Sequence, residues 1–188
     1  MTRIIAGAYG GRRIQTPKGD GTRPTSDRVR EALFSTLESE LGGFDGVRVL
    51  DLFAGSGALG LEALSRGAEH TVFVEANAAA ATVVKRNLAD LGASGSVVRA
   101  KAGRWVQDGD SDLFGLVFVD PPYALSTASV TDLVAAVAES FAASDALFVV
   151  ERATRDPFVW PDGVEALRSK KYGETTLWFG RAAVRSVP

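Results

Sequence analysis

The chain has 188 residues, of which 46% are hydrophobic and 23% charged, and its formal net charge at pH 7 is −2. This is the composition of an ordinary globular protein, and the lack of cysteine excludes disulfides, thiolate catalysis and cysteine-ligated metals. The length predicts one domain. Since no apolar run is long enough for a membrane span or a signal peptide, we expect a cytoplasmic protein without a membrane partner.

The first 30 residues differ in charge from the rest of the chain. They hold seven arginines or lysines against two aspartates, a local charge of +5, so the remaining residues carry −7. Residues 3–16 form two short β-prone pieces separated by glycines, which predicts a hairpin, and residues 17–21 predict a turn. The asymmetry fits an arm that contacts phosphates, and it equally fits an ordinary solvated surface.

A helix is predicted next, because Thr25 or Ser26 can cap a segment whose apolar residues recur at helical spacing. The stripe consists of Val29, Leu33, Leu37 and Leu41. We expect this helix to pack on the main sheet.

A buried strand over 47–52 runs into a glycine-rich turn and then into a helix from about 57 to 66. Gly55 and Gly57 allow positive φ and close approach of a ligand, and the start of the helix favours an anionic group. Together with Gly60, and with Glu75 following Gly55 by 20 residues, the stretch also fits the G-x-G-x-x-G dinucleotide fingerprint. The glycines alone therefore leave a dinucleotide-dependent oxidoreductase as an alternative.

Strand and helix signals alternate after this turn. The expected strands are 71–75, about 96–100, 115–120 and 146–150, and the expected helices are about 78–91, about 127–142 and a short one between 100 and 115. Near-continuous apolar strands joined by helices predict a parallel sheet covered on both faces, and the segments 164–171 and 174–183 predict an antiparallel hairpin. We therefore predict an α/β fold of the class I methyltransferase type: a Rossmann-like, mostly parallel seven-stranded sheet with a C-terminal antiparallel hairpin and a small N-terminal extension.

Asp120, Pro121, Pro122 and Tyr123 directly follow the strand predicted over 115–120. Two prolines stop a strand and remove two N–H donors, so the carbonyls and the Asp120 carboxylate remain as acceptors. A nucleobase amine could donate to Asp120 and to the Pro121 carbonyl, which would turn its lone pair towards a sulfonium methyl group, while Tyr123 stacks on the base. Taken alone, the tetrapeptide also fits a plain strand-ending turn.

Four of these positions fall at predicted strand ends: Asp51, Gly55, Glu75 and Asp120. In an open α/β sheet such ends meet in one crevice. There Asp51 could face a cofactor's ammonium group or cap the turn, and Glu75 could accept the hydroxyls of a ribose or be an exposed acid.

Several motifs together resemble those of the bacterial methyltransferases that modify guanine N2 in small-subunit ribosomal RNA. They are D-L-F-A-G-S-G and D-P-P-Y, preceded by R-I-I-A-G and R-P-T-S-D-R-V-R-E-A-L-F and followed by K-K-Y-G-E-T-T-L, between Arg3 and about Gly180. The resemblance implies S-adenosylmethionine as cofactor and ribosomal RNA, within a partly or fully assembled small subunit, as substrate. Because D-P-P-Y is shared with adenine-amine methyltransferases, an adenine target in DNA or RNA stays open.

Carried over position by position, the resemblance assigns three groups of residues. Around the cofactor it places Asp51, Gly55, Ser56, Gly57 and Glu75, and on the target base Asp120, Pro121 and Tyr123. Arg23 and Thr25 match the R-P-T element, which is expected beside the cofactor's carboxylate or the RNA. Where many relatives bind adenine with an acidic or amide side chain, this chain reads A-K-A-G-R-W-V, so we expect backbone groups near Ala102 and Gly103 to do so.

The chain is expected to divide into a basic, RNA-binding hairpin and helix extension, residues 1–45, and a methyltransferase domain, residues 46–188. An extension of this size is small for reading duplex DNA, whereas a structured RNA can present an unstacked base by its own shape. The residues expected to grip phosphates are Arg3, Arg12, Arg13 and Lys18. We expect a monomer without a metal, and the intact D-P-P-Y disfavours an RNA-binding module that lacks catalysis.

Overall fold

The computed structural model describes residues 2–18, 26–109 and 112–184. In chain order the elements are β1 (Thr2–Arg3), β2 (Arg13–Ile14), α1 (Asp27–Leu41), β3 (Arg48–Asp51), α2 (Ala58–Ser65), β4 (His70–Val74), α3 (Ala78–Leu91), β5 (Gly95–Val98), α4 (Ala102–Asp108), β6 (Phe114–Val119), α5 (Thr127–Ser140), β7 (Ala142–Ala153), β8 (Val164–Tyr172) and β9 (Thr175–Ala182). None of the helices in these ranges is both long and apolar enough to cross a membrane.

The main sheet has seven strands in the order β5-β4-β3-β6-β7-β9-β8. Strands β3 to β7 pair in parallel, whereas β9 runs antiparallel to both β7 and β8. Tyr172 pairs with Thr175, which leaves a two-residue turn that begins at Gly173 with φ +62°. The predicted fold class is confirmed, including the antiparallel hairpin at the C-terminal end of the sheet.

The strand predicted over 146–150 is longer than the sequence indicated, because β7 covers Ala142–Ala153. The polar pair Ser144 and Asp145 looks like a loop in the sequence. In the structure Asp145 adopts φ +67° where the pairing with β6 shifts register, and its carboxylate lies 3.1 Å from the Arg181 guanidinium on β9. An ion pair to the neighbouring strand thus stabilises β7 in a segment that lacks the usual apolar pattern.

The hairpin predicted over 3–16 is reduced to a ladder of two residues on each strand. The backbone between the strands binds α2 instead, where the Glu62 carboxylate, fully buried, accepts the N–H groups of Ile5 at 2.8 Å and Ala6 at 3.1 Å. The same carboxylate accepts Arg66 Nε at 2.9 Å. A buried acid on a core helix therefore supplies the hydrogen bonds that a longer ladder would have made.

A second contact ties this N-terminal arm, residues 2–18, to α3. The Asn87 side chain accepts Gln15 N at 2.8 Å and donates to Gln15 O at 2.9 Å. It also donates to Ser56 O at 3.0 Å, in the turn that follows β3. One buried amide therefore fixes the end of the arm relative to the glycine turn.

Helix α1 packs on the sheet, as predicted. Ser26 Oγ caps it by accepting Val29 N, and Leu33, Phe34 and Leu37 are buried in the same cluster as residues of β3, β6 and β7. Arg30 on this helix is also buried, at 2% exposure, and donates to Arg3 O and to the Asp27 carboxylate. Helix α1 thus holds β1 as well as the sheet.

Candidate active site

A cleft of about 1200 Å³ opens at the carboxyl ends of the parallel strands. Pockets for one small ligand occupy roughly 300–1,000 Å³, so this cleft has room for a second ligand beside the first. The predicted site residues that line it are Asp51, Gly55, Ser56, Glu75, Ala102, Asp120, Pro121 and Tyr123. The N-terminal arm contributes Thr2, Thr16 and Pro17 to the same lining.

The glycine turn between β3 and α2 has three glycines with different tasks. Gly55 has φ +57° and faces open space on the cleft side, while Gly57 has φ +82°, caps α2 and lies outside the cleft lining. At Gly60 a Cβ would come within 2.3 Å of the Phe73 ring on β4. The third glycine of the motif is thus required for close helix–strand packing, a need common to dinucleotide and methyltransferase folds, so it does not distinguish them.

Glu75 follows β4 and holds the glycine turn from one strand over. Its carboxylate oxygens accept Gly55 N at 2.8 Å and Asn77 N at 2.8 Å. Each carboxylate oxygen has a second lone pair, so Glu75 can still accept hydroxyl groups of a ligand in the cleft.

Asp51 ends β3 and is 1% exposed. Its Oδ2 accepts Gly60 N at 3.3 Å, whereas Oδ1 has no hydrogen-bond partner among the described residues. The pKa of Asp51 is raised to about 7. Burial is the main cause and the Glu75 charge adds to it, while the backbone N–H groups of Gly60 and Phe53 act in the opposite direction. A buried carboxylate with an unused oxygen on a cleft favours a cationic ligand group such as an ammonium.

Asp120 follows β6 directly and faces the same cleft. Burial raises the pKa of Asp120 well above its usual range, and the carboxylates of Glu151 and Asp51 add to that rise. Pro121 is buried, while Tyr123 is 59% exposed at the cleft, with its hydroxyl 3.4 Å from that of Thr175. The segment therefore presents acceptors inside the cleft and an aromatic face at its rim.

The sequence did not single out Arg152, which holds the loop after Tyr123. Arg152 is 1% exposed, and its guanidinium donates to Leu125 O at 2.9 Å and Thr127 Oγ1 at 3.2 Å. It also pairs with Asp156, and hydrogen bonds from Thr127 and Arg152 hold the pKa of Asp156 below its usual value. The signal available was a charged pair, Glu151 and Arg152, inside an otherwise apolar strand.

The predicted phosphate-gripping residues lie on the arm and outside the cleft lining. The Arg12 guanidinium donates to the carbonyls of Asp90 and, at 3.5 Å, Leu91 at the end of α3, while Arg3 lies 3.8 Å from Asp27. Arginine so placed satisfies carbonyls that a helix leaves unpaired.

The side chains of Arg13 and Lys18 are exposed. Arg23 and Thr25 lie outside the described residues. Within the described ranges, no group of three or more His, Asp or Glu side chains is placed to hold a metal ion.

Comparison with known proteins places the chain among methyltransferases. A family model described as conserved hypothetical protein 95 matches residues 2–181. Ribosomal RNA small subunit methyltransferase D of Haemophilus influenzae is 34% identical over 176 residues, or 91% of this chain and 89% of that protein. YlbH of Bacillus subtilis is 43% identical over 125 residues, which cover 64% of this chain and 66% of YlbH. The solved structure of yhhF from Escherichia coli matches 98% of this chain and 99% of its own, with a TM-score of 0.85 and 33% identity.

Proposed function

The chain belongs to the family described as conserved hypothetical protein 95, and we propose that it transfers a methyl group from S-adenosylmethionine to the exocyclic N2 amine of a guanine in small-subunit ribosomal RNA. The observation that carries this proposal is one cleft that holds both a buried acid, Asp51, whose Oδ1 has no partner among the described residues, and the acceptors that follow β6, at Asp120 and Pro121. The first suits a cofactor's ammonium group and the second suit an amine to be methylated.

The residues around Asp51 fit S-adenosylmethionine. Asp51 Oδ1 would accept the ammonium group, and Glu75 would accept the ribose hydroxyls with its remaining lone pairs. Gly55 and Ser56 would let the methionine end approach the backbone, with Gly57 shaping the turn. Backbone groups at Ala102 and Gly103 line the cleft where the adenine would lie.

Asp120 and Pro121 would hold the target amine. When bound, the cofactor supplies an electrophilic methyl group, which the amine nitrogen takes as the carbon–sulfur bond breaks and its electron pair stays on sulfur. Asp120 and the Pro121 carbonyl would each accept one N–H beforehand, so that the nitrogen lone pair points away from both acceptors. The nitrogen must then lose one proton, and the raised pKa makes Asp120 a suitable acceptor for it. Tyr123 would stack on the base.

Cofactor affinity is predicted to weaken as the pH falls through about 7. The pKa of Asp51 is about 7, and only its ionised form pairs with an ammonium group. Between pH 8 and pH 6 the ionised fraction, and with it the affinity, falls about tenfold. Calorimetry with S-adenosylhomocysteine, which carries the same ammonium group, measures this change. Asp51→Asn should bind weakly at both pH values, with the exposed Asp45→Asn as its matched control; a flat profile for the unaltered protein would remove Asp51 from this role.

The substrate would be structured RNA in a partly or fully assembled small subunit, met in the cytoplasm by a monomer. Residues 1–45 would be the RNA-binding extension, in which Arg13 and Lys18 are exposed and Arg3 pairs with Arg13 across the two strands. Arg12 can contribute only with the donors that the α3 carbonyls leave unused. Arg23 and Thr25 remain part of the proposal through the R-P-T element.

Replacing Arg13 by glutamine is predicted to weaken RNA binding and to flatten its salt dependence. The loss of one phosphate contact lowers the slope of log K against log salt by about one unit. Filter binding of small-subunit ribosomal RNA over a range of salt concentrations measures the slope. Arg48→Gln is the control, because Arg48 begins β3, at the opposite end of the strand from the cleft, and pairs there with Asp112 at 2.7 Å. Equal slopes for both variants would show that Arg13 is an ordinary solvated residue that contacts no phosphate.

The proposal is tested by incubating small subunits with S-adenosylmethionine labelled in the methyl group and analysing the nucleosides. We expect label in N2-methylguanosine. Label in N6-methyladenosine would support the adenine-amine alternative instead. Binding of NADH in place of S-adenosylhomocysteine would support the oxidoreductase.

A further inference from the structure

We propose that Glu151 accepts the N1–H of the target guanine and is thereby the residue that selects guanine over adenine. This inference rests on the proposed transfer to guanine N2 and adds to it the group that identifies the base.

The register of the sheet places Glu151 beside Asp120. Val119 on β6 pairs with Val150 on β7, so Asp120 and Glu151 stand one residue further along two adjacent parallel strands. Neighbouring strands lie about 4.8 Å apart, and equivalent positions on them point to the same face. Both residues line the large cleft. Two carboxylates therefore stand side by side where the base would enter.

Apolar side chains lie next to Asp120 and Glu151. A small pocket that touches both Asp120 and Glu151 is otherwise lined by residues of α1, α2, β6, β7 and β9, among them Leu33, Leu59 and Leu177. The charge of Glu151 contributes to the raised pKa of Asp120, so the two carboxylates interact directly. In such an apolar setting a base that offered these carboxylates no donor would bind poorly, so the pair can discriminate between bases.

Guanine matches two adjacent acceptors, and adenine does not. The N2 amine of guanine lies next to N1–H, so the Watson–Crick edge offers two neighbouring donors. Asp120 would accept from the amine and Glu151 from N1–H. The amine of adenine lies next to an N1 that carries a lone pair and no hydrogen. A carboxylate at Glu151 would then face a second acceptor, which opposes binding of adenine.

The test compares two bases that carry the same amine at C2. Small-subunit RNA is prepared with either guanine or 2-aminopurine at the methylated position; 2-aminopurine keeps the C2 amine but has an N1 without hydrogen. For the unaltered protein we expect kcat/KM to favour guanine by roughly 10- to 100-fold. In Glu151→Gln the preference should shrink towards one, because the amide can donate to the bare N1 of 2-aminopurine. The intrinsic reactivity of each amine is the same for both proteins, so it cancels in the ratio of the two preferences.

Three controls separate the outcomes. Glu165→Gln, an exposed change on β8, should keep the preference of the unaltered protein. Glu151→Ala removes the acceptor altogether and repeats the test should the amide variant not fold, and the affinity for S-adenosylhomocysteine reports folding of both. An unchanged preference in folded Glu151 variants would overturn the role of Glu151 while guanine methylation still stood. If the unaltered protein methylated neither RNA, the proposed function itself would fail.

Discussion

We expect that replacing Asp120 by alanine abolishes methyl transfer, with a fall in kcat of about 10³-fold or more, and leaves the binding of S-adenosylhomocysteine intact. Asp120 follows β6 and is proposed to act on the amine, whereas the proposed cofactor contacts come from the ends of β3 and β4. The pKa of Asp51 is set by burial, by the Glu75 charge and by the N–H groups of Gly60 and Phe53, so the loss of Asp120 should leave cofactor binding unchanged. Single-turnover transfer to small subunits and calorimetry measure the two effects separately.

The matched control for Asp120 is Asp132→Ala, which removes an exposed carboxylate on α5. It should change neither transfer nor binding. A joint loss of transfer and cofactor affinity in Asp120→Ala would place Asp120 on the cofactor instead of the base, and the mechanism would have to be rebuilt around that contact.

We expect that replacing Glu62 by alanine lowers the free energy of unfolding by about 3 kcal/mol. Glu62 is fully buried and accepts the N–H groups of Ile5 and Ala6 as well as Arg66 Nε. Its removal leaves two backbone donors and the Nε–H of Arg66, a side chain that is only 11% exposed, without this acceptor. Urea unfolding measures the loss of stability, and limited proteolysis should cleave the N-terminal arm sooner.

The control for Glu62 is Glu38→Ala. Glu38 also pairs with Arg66, at 3.5 Å, but its side chain is 59% exposed, so its loss should cost below about 1 kcal/mol. If the two variants lost the same small amount of stability, the buried carboxylate would not be what holds the arm to α2.

The main sheet could be predicted from the sequence because its signals are local. Apolar strands such as residues 114–119, the glycine turn after Asp51 and the prolines after Asp120 each mark an element within a few residues. The order of elements then leaves few topologies, and the hairpin between residues 164 and 182 completes the sheet.

The attachment of the arm could not be predicted in the same way. Glu62 and Asn87 look like solvated helix residues in the sequence, and their partners on the arm lie 57 and 72 residues away along the chain. Arg12 carries the same ambiguity, since a basic residue in a basic stretch suggests a phosphate contact, whereas the structure directs its guanidinium to the end of α3.

Of the two carboxylates proposed to bind the base, one could be found from local sequence and the other could not. Asp120 is recognisable from its own tetrapeptide. The charged pair of Glu151 and Arg152 marks its segment as unusual, but only the pairing of β6 with β7 places Glu151 beside Asp120. Strand register, which sequence patterns do not give, was needed to place the two carboxylates together.

The most direct test of the central claim is mass spectrometry of small-subunit ribosomal RNA from cells that lack this protein. We predict that one methyl group is missing from one guanine, and that the unaltered protein restores it while Asp120→Ala does not. An unchanged set of methylated guanines in those cells, or a methyl group missing from an adenine instead, would contradict the proposed function.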